Sequence, residues 1–171
     1  MPEDKPGEKE FLAAYDAFAD ALFRHARFRV RDRSTAEDLV QETFCRAWKH
    51  ICKGGDPILN IRAFLYRILG NLIIDRSRKA KEESLDALFD EGFQLAGDVG
   101  PPADVASDAR AALAALETLD EPYRTAVSMR YVDDLPPREI AQILGVSAVS
   151  VSVRIHRGLA KLRFMIETKK R

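Results

Sequence analysis

The sequence predicts an all-α chain of two small helical domains joined by an acidic linker, on three observations. Apolar residues recur at helical spacing, and almost no segment alternates with the period of two that a half-buried strand needs. A stretch marked by Gly97, Gly100, Pro101 and Pro102 breaks that periodicity between two helical regions. The charge changes sign at the same place. Lys53–Lys81 holds seven basic and two acidic residues, Glu82–Asp108 holds eight acidic and no basic ones, and Pro122–Arg171 holds ten basic against four acidic. The domains are therefore expected at residues 8–81 and 108–168, with the linker at 82–107.

The elements follow in order. Phe11, Leu12, Tyr15, Phe18 and Leu22 form the apolar stripe of a first helix. Arg24–Arg33 then holds five arginines against Asp32 alone. Ser34-Thr35-Ala36-Glu37 has the form of a capping box, in which Ser34 accepts from the backbone at Glu37 and Glu37 reaches back. The second helix runs from there to about Cys52, with Leu39, Val40, Phe44, Ala47, Trp48 and Ile51 on its apolar side. Lys53-Gly54-Gly55-Asp56-Pro57 ends it. Asn60 can cap a third helix, on which Ile61, Phe64, Leu65, Ile68, Leu69, Leu72 and Ile73 cluster. Its far end carries Arg76, Arg78, Lys79 and Lys81, cations that also suit a helix C-terminus.

Helical patterning returns at Ala109–Leu119. Asp120 can cap the next helix, with Pro122 in its first turn and Tyr123, Ala126, Val127 and Tyr131 facing inward. Pro137 opens a short helix over Arg138–Leu144, and Gly145 ends it where a left-handed residue is favoured. Ser147 can cap the following helix, from Ala148 to about Ile166. Two helices joined by a three-residue turn containing Gly have helix-turn-helix spacing. Ala141 is small enough to let the second helix approach, and Ile140, Leu144, Val146 and Val151 are its expected core. The second helix of such a unit enters the major groove with its N-terminal residues at the base edges. Ser147, Ser150 and Ser152 offer short hydrogen-bonding groups there, and Arg154, His156 and Arg157 suit phosphates or guanine edges. An ordinary helical hairpin is the plainer reading. It does not account for the small residue, the Gly turn, the Ser cap and the basic second helix occurring together.

Composition narrows the alternatives. The formal net charge is zero, with 46% hydrophobic and 32% charged residues, enough to bury a core and stay soluble. The start, Met1–Glu10, is polar and charged rather than a secretory signal, and no apolar run approaches the roughly 20 residues of a membrane span. No membrane insertion and a cytoplasmic location are expected. Cys45 and Cys52, on one helix, stand roughly 10 Å apart along its axis, too far for a disulfide. They are expected to be buried thiols. No His lies at zinc-ligand spacing from them, and there is no nucleophile–base pair or phosphate-cradling glycine loop. Neither catalytic residues nor a metal or other cofactor are therefore expected.

The sequence resembles the extracytoplasmic-function (ECF) RNA polymerase sigma factors, from about Phe11 to Leu162. Four stretches carry the resemblance, in order and correctly spaced: Asp38–Trp48, Phe64–Asp75, Leu135–Ala141 with Gly145–Ser147, and Arg154–Arg163. It implies a non-catalytic specificity subunit that binds core RNA polymerase and directs promoter recognition and melting. It places Asp38, Gln41, Glu42, Phe44 and Trp48 on or under the surface that docks the β′ clamp helices. The first three share one helix face, and Phe44 and Trp48 suit the core beneath it. The resemblance also assigns the domain around Lys53–Asp75 to the −10 element. The loop Lys53–Leu59, with Lys53 and Asp56, forms a pocket for a flipped base, and Asn71 lies near the non-template strand. Arg62, Arg67, Arg76 and Arg78 can follow single-strand phosphates, and Tyr66 can either stack on a base or belong to the core. The helix-turn-helix implies −35 contacts from Arg130, Ser150, Ser152, Val153, Arg154, His156 and Arg157. The acidic linker resembles the segment the family threads toward the polymerase active site; a solubilising tether is the plainer alternative. An anti-sigma partner is also implied.

The chain departs from the family pattern at Phe64, where Trp is frequent, and at Leu159, where Arg is frequent. Ser152 stands where Lys or Arg is common and Val153 where a small polar residue is, so the reading helix is less basic than usual. A helix-turn-helix regulator that does not replace sigma is the chief rival, but it leaves Asp38–Trp48 without a role. A module that clamps a protein partner leaves both basic blocks unexplained.

Overall fold

In the computed structural model, which describes residues 7–30, 32–87, 112 and 114–169, every element is a helix and no strand occurs among the described residues. The expected all-α class is what is found. The chain falls into two compact units, one within Met1–Val99 and the other within Gly100–Arg171. Most of the acidic linker, residues 88–107, lies outside the described residues.

The first unit is a packed trio, α1 (Glu8–Val30), α2 (Arg33–Cys52) and α3 (Ile61–Ala87), each helix touching the other two. Its core is Leu22 and Ala26 of α1, Leu39, Val40, Thr43, Phe44 and Ala47 of α2, and Leu65, Tyr66, Leu69, Leu72 and Ile73 of α3. The expected stripe on α1 is only partly inward. Leu12 and Tyr15 are exposed, and Ala14, Leu22, His25 and Ala26 form the buried seam. Small Ala side chains alternate there with buried Leu22 and His25, while Leu12 and Tyr15 fringe the contact. Tyr15 still packs its ring 4.7 Å from that of Phe44, and Phe11 lies 4.9 Å from Trp48.

Three termini show how local chemistry sets the boundaries. The capping box at Ser34 does not form. Asp32 is the N-cap instead, its Oδ2 accepting from the Thr35 N–H at 2.7 Å, and the helix begins at Arg33. This is the same i to i+3 capping geometry two residues earlier, with a carboxylate at the positive end of the helix. Glu37, freed from the box, pairs with Arg33 at 2.8 Å. Asn60 does cap α3, its Oδ1 accepting from the Ala63 N–H at 3.0 Å. The helix then continues to Ala87, six residues past the expected domain edge, so the acidic composition that suggested a linker begins while the backbone is still helical.

The second unit contains helical residues at 114–117, then α4 (Glu121–Tyr131), α5 (Pro137–Leu144) and α6 (Ala148–Lys169). Asp120 is the N-cap of α4 by position, but its side chain makes no capping bond. Pro122 has no N–H to offer and the Tyr123 N–H is taken by the Asp120 carbonyl at 3.0 Å. The carboxylate instead accepts from Lys161 Nζ of α6 at 2.6 Å. Ala126 and Val127 face inward as expected, whereas Tyr131 is 61% exposed at the end of the helix, where Met129 takes the buried place.

Between α5 and α6 the chain direction turns by 106°, within the range of helix-turn-helix units. Gly145 makes this possible at φ 66°, where an L side chain is strained. The Val146 N–H closes back on the Ala141 carbonyl at 3.2 Å, and Ser147 Oγ accepts from the Ser150 N–H at 3.1 Å. Ile140 and Val151 are fully buried in this corner, joined by Ile143, with Leu144 and Val146 only half-buried. Gly158 lets α6 lie close on α4: a Cβ there would fall 2.7 Å from Cγ2 of Val127.

Candidate nucleic-acid interface

On the first unit, α2 presents Asp38, Gln41 and Cys45 to solvent on one side, with half-buried Glu42 beside them. Glu42 is not a free carboxylate: it accepts from Arg46 Nε at 2.7 Å, and that bond draws its pKa down. Phe44 is 4% exposed and Trp48 half-buried. Both therefore support the face from below rather than forming it. Cys45 and Cys52 are exposed, contrary to the expectation of buried thiols. Seven residues apart, they lie on the side of α2 away from the seam of Leu39, Thr43 and Ala47.

The loop between α2 and α3 stands out from the trio. Lys53, Asp56 and Leu59 are exposed, Leu59 almost completely at 99%. The loop is stapled to His50, a residue the sequence reading did not single out. The Gly55 N–H donates to the His50 carbonyl at 3.1 Å, and the imidazole Nε2 lies 3.0 Å from the Asp56 carbonyl oxygen. The ring also packs 5.0 Å from Phe64. A cavity of about 360 Å³ opens beside it, walled by Phe11, His50, Ile51, Pro57, Ile58 and Ile61. His50 stands in the last turn of α2, and its bond to a backbone carbonyl of the following loop leaves no mark on helical periodicity, which is why sequence reading missed it.

Along α3 the expected −10 residues divide. Arg67, Asn71, Arg76 and Arg78 are exposed and Arg62 is half-buried. Arg76 donates to Thr35 Oγ1 of α2 at 3.1 Å, and Arg78 lies 3.7 Å from Asp75. Tyr66 is not available to stack on a base. It is fully buried, its ring edge-on to buried His25 at 5.3 Å. It sits one residue after Leu65 and three before Leu69, on the side that α1 covers. The core alternative for Tyr66 is the correct one.

On the second unit, α6 buries Val151, Ile155 and Gly158, and its opposite side is open. Ser150, Ser152, Val153, His156 and Arg157 are all exposed there, and Arg154 is half-buried at the edge of the seam. Ser152 Oγ donates to the Ala148 carbonyl at 3.0 Å, and Ser147 Oγ donates to Ser150 Oγ at 2.9 Å. Arg130 stands apart from this face on α4, held by Asp134 at 3.2 Å. Val149, at 73% exposure, also belongs to the open face. Among the described residues no group of acidic, His or Cys side chains could hold a metal, and no single helix is long and apolar enough to cross a membrane.

Comparison with known proteins matches both units. A sigma-70 region 2 family model matches residues 14–83, and a sigma-70 region 4 model matches residues 109–162. The ECF RNA polymerase sigma factor SigW of Bacillus subtilis is 32% identical, the alignment covering 93% of this chain and 90% of SigW. SigL of Mycobacterium tuberculosis, also an ECF sigma factor, is 30% identical over 91% of this chain and 88% of its own. Among solved structures, the sigma factor RpoE of Bartonella quintana, in complex with the anti-sigma factor NepR, is similar in fold. Its TM-score is 0.73 at 24% identity, covering 93% of this chain and 98% of that one. CnrH, in complex with the cytosolic domain of CnrY, gives a TM-score of 0.68 at 25% identity, covering 95% and 91%.

Proposed function

The chain belongs to the ECF group of the sigma-70 family, and on that premise we propose how its surfaces divide the work of starting transcription. It is a sigma factor that binds core RNA polymerase and promoter DNA and directs transcription initiation. The observation that carries the division is the helix-turn-helix corner: a 106° turn, a left-handed Gly145 and an open α6 face.

In our reading, Asp38 and Gln41 of α2 meet the β′ clamp helices, with Glu42 held by Arg46 and the face supported by Phe44 and Trp48. Exposed carboxyl and amide groups suit a basic partner surface, where they steer docking and fix its register. The −10 element lies along the loop with Lys53 and Asp56 and the α3 residues Arg62, Arg67, Asn71, Arg76 and Arg78. The arginines follow phosphates while a base leaves the stack. Unstacking costs a few kcal/mol, and a fitted pocket offsets it only for the right base. Melting then becomes sequence-selective without nucleotide hydrolysis, and the chain acts as a non-catalytic subunit in the cytoplasm. The α6 face, through Ser150, Ser152, Val153, Arg154, His156 and Arg157, reads the −35 element, with Arg130 at a flanking phosphate. The acidic residues 82–107 occupy a basic path on the polymerase, and an anti-sigma factor restrains the chain by covering both units.

Permanganate reactivity of thymines near the −10 element tests this directly. Reactive thymines should appear only when core polymerase and this chain are both present. A duplex that stays closed with both present would refute the assignment.

A further inference from the structure

We infer that Val149 and Val153 read thymine by its 5-methyl group, making apolar contact the central element of −35 recognition by this chain. The inference rests on the assignment of α6 to the −35 duplex. Val149 is 73% exposed and Val153 42%, among the most exposed apolar side chains of the second unit. At about 100° per residue, they stand together at the middle of the open arc, diametrically opposite buried Val151, Ile155 and Gly158. Ser152 and His156 flank them on one side, Ser150 and Arg157 on the other.

The Ser152 hydroxyl beside them donates to the Ala148 carbonyl, and Ser150 accepts from Ser147. The middle of the open arc over the first turns of α6 is aliphatic, with the hydroxyls at its edges. In the major groove the bases expose donors, acceptors and one apolar group, the thymine methyl. A Val pair one helical turn apart has a match there and nowhere else on the base edges. Polar base edges under the valines would lose water without gaining a hydrogen bond, so the pair also disfavours other bases. Arg157 and His156, further along the same face, are placed for phosphate or guanine.

The test uses holoenzyme made from core polymerase and the full chain. A promoter is selected from a randomised duplex pool, and each −35 thymine is replaced in turn by deoxyuridine, which lacks only the methyl. At one or more positions the replacement should lower affinity about fourfold, the factor expected for one buried methyl. Val149→Ala with Val153→Ala, which removes all four γ-methyls and shortens both side chains, should lose most of the difference between the thymine and uracil duplexes. Val149→Thr, which keeps one γ-methyl and leaves Val153 in place, should retain the discrimination. Sequence-specific −35 binding that is indifferent to uracil at every position would overturn the inference and leave the −35 assignment standing. Absence of any −35 sequence preference would overturn both.

Discussion

Arg157 sits exposed on α6 nearly three turns beyond the Ser147 cap, clear of the buried seam. Under the proposed −35 assignment, a guanidinium there is placed for a bidentate base contact or a phosphate contact. Replacing it by Ala should weaken duplex −35 binding by roughly 5- to 150-fold, equivalent to about 1–3 kcal/mol, and leave affinity for core polymerase unchanged. Titration of a −35 duplex and of core enzyme with the same variant checks both halves. Residue type and register on α6 were legible in the sequence because an exposed face is the complement of an apolar seam. Tyr66 and Tyr131 were not. Each is an amphipathic side chain at the edge of an apolar stripe, and only the neighbouring helix decides its side: α1 covers Tyr66, whereas Tyr131 lies at an open helix end. Cys45 and Cys52 turned outward for the same kind of reason, since a frequently buried residue type says little about the face it occupies.

The helices themselves were well marked, and their ends less so. Gly145, Ser147 and Asn60 do what their chemistry suggested, because each satisfies a local backbone need. Ser34 and Asp120 do not, because a better competitor was available: Asp32 for the first cap, Lys161 for the second carboxylate. The Asp32 carboxylate, hydrogen-bonded to Thr35, has its pKa lowered from the ordinary 3.8. Its stabilising contribution is thus full above that value and lost as pH falls through the lower folded-state pKa. Asp32→Asn, which still caps, should flatten this acid dependence; melting curves taken from pH 5 downward should show the wild type losing more than the variant. Packing offers a second check. Gly158 leaves no room for a branched side chain against Val127 and Tyr123. Gly158→Val should destabilise the second unit by about 1–3 kcal/mol through overpacking, seen as a lower melting midpoint with the first unit's transition unchanged.

For the molecule as a whole, the two units have separate cores and separate surfaces, and the family models match one to each. That division was readable from composition, since two helical regions flanked an acidic, Gly- and Pro-marked stretch. Its edge was not, because α3 carries helical backbone into acidic sequence as far as Ala87. The proposed division of work needs both units on one chain: one surface to hold the polymerase, one to open the −10 element, one to read duplex upstream. Run-off transcription with core polymerase and this chain on a pool of genomic fragments tests that requirement most directly. Discrete transcripts from a small set of start sites, absent with core polymerase alone, are predicted. Output no different from core polymerase alone would contradict the account.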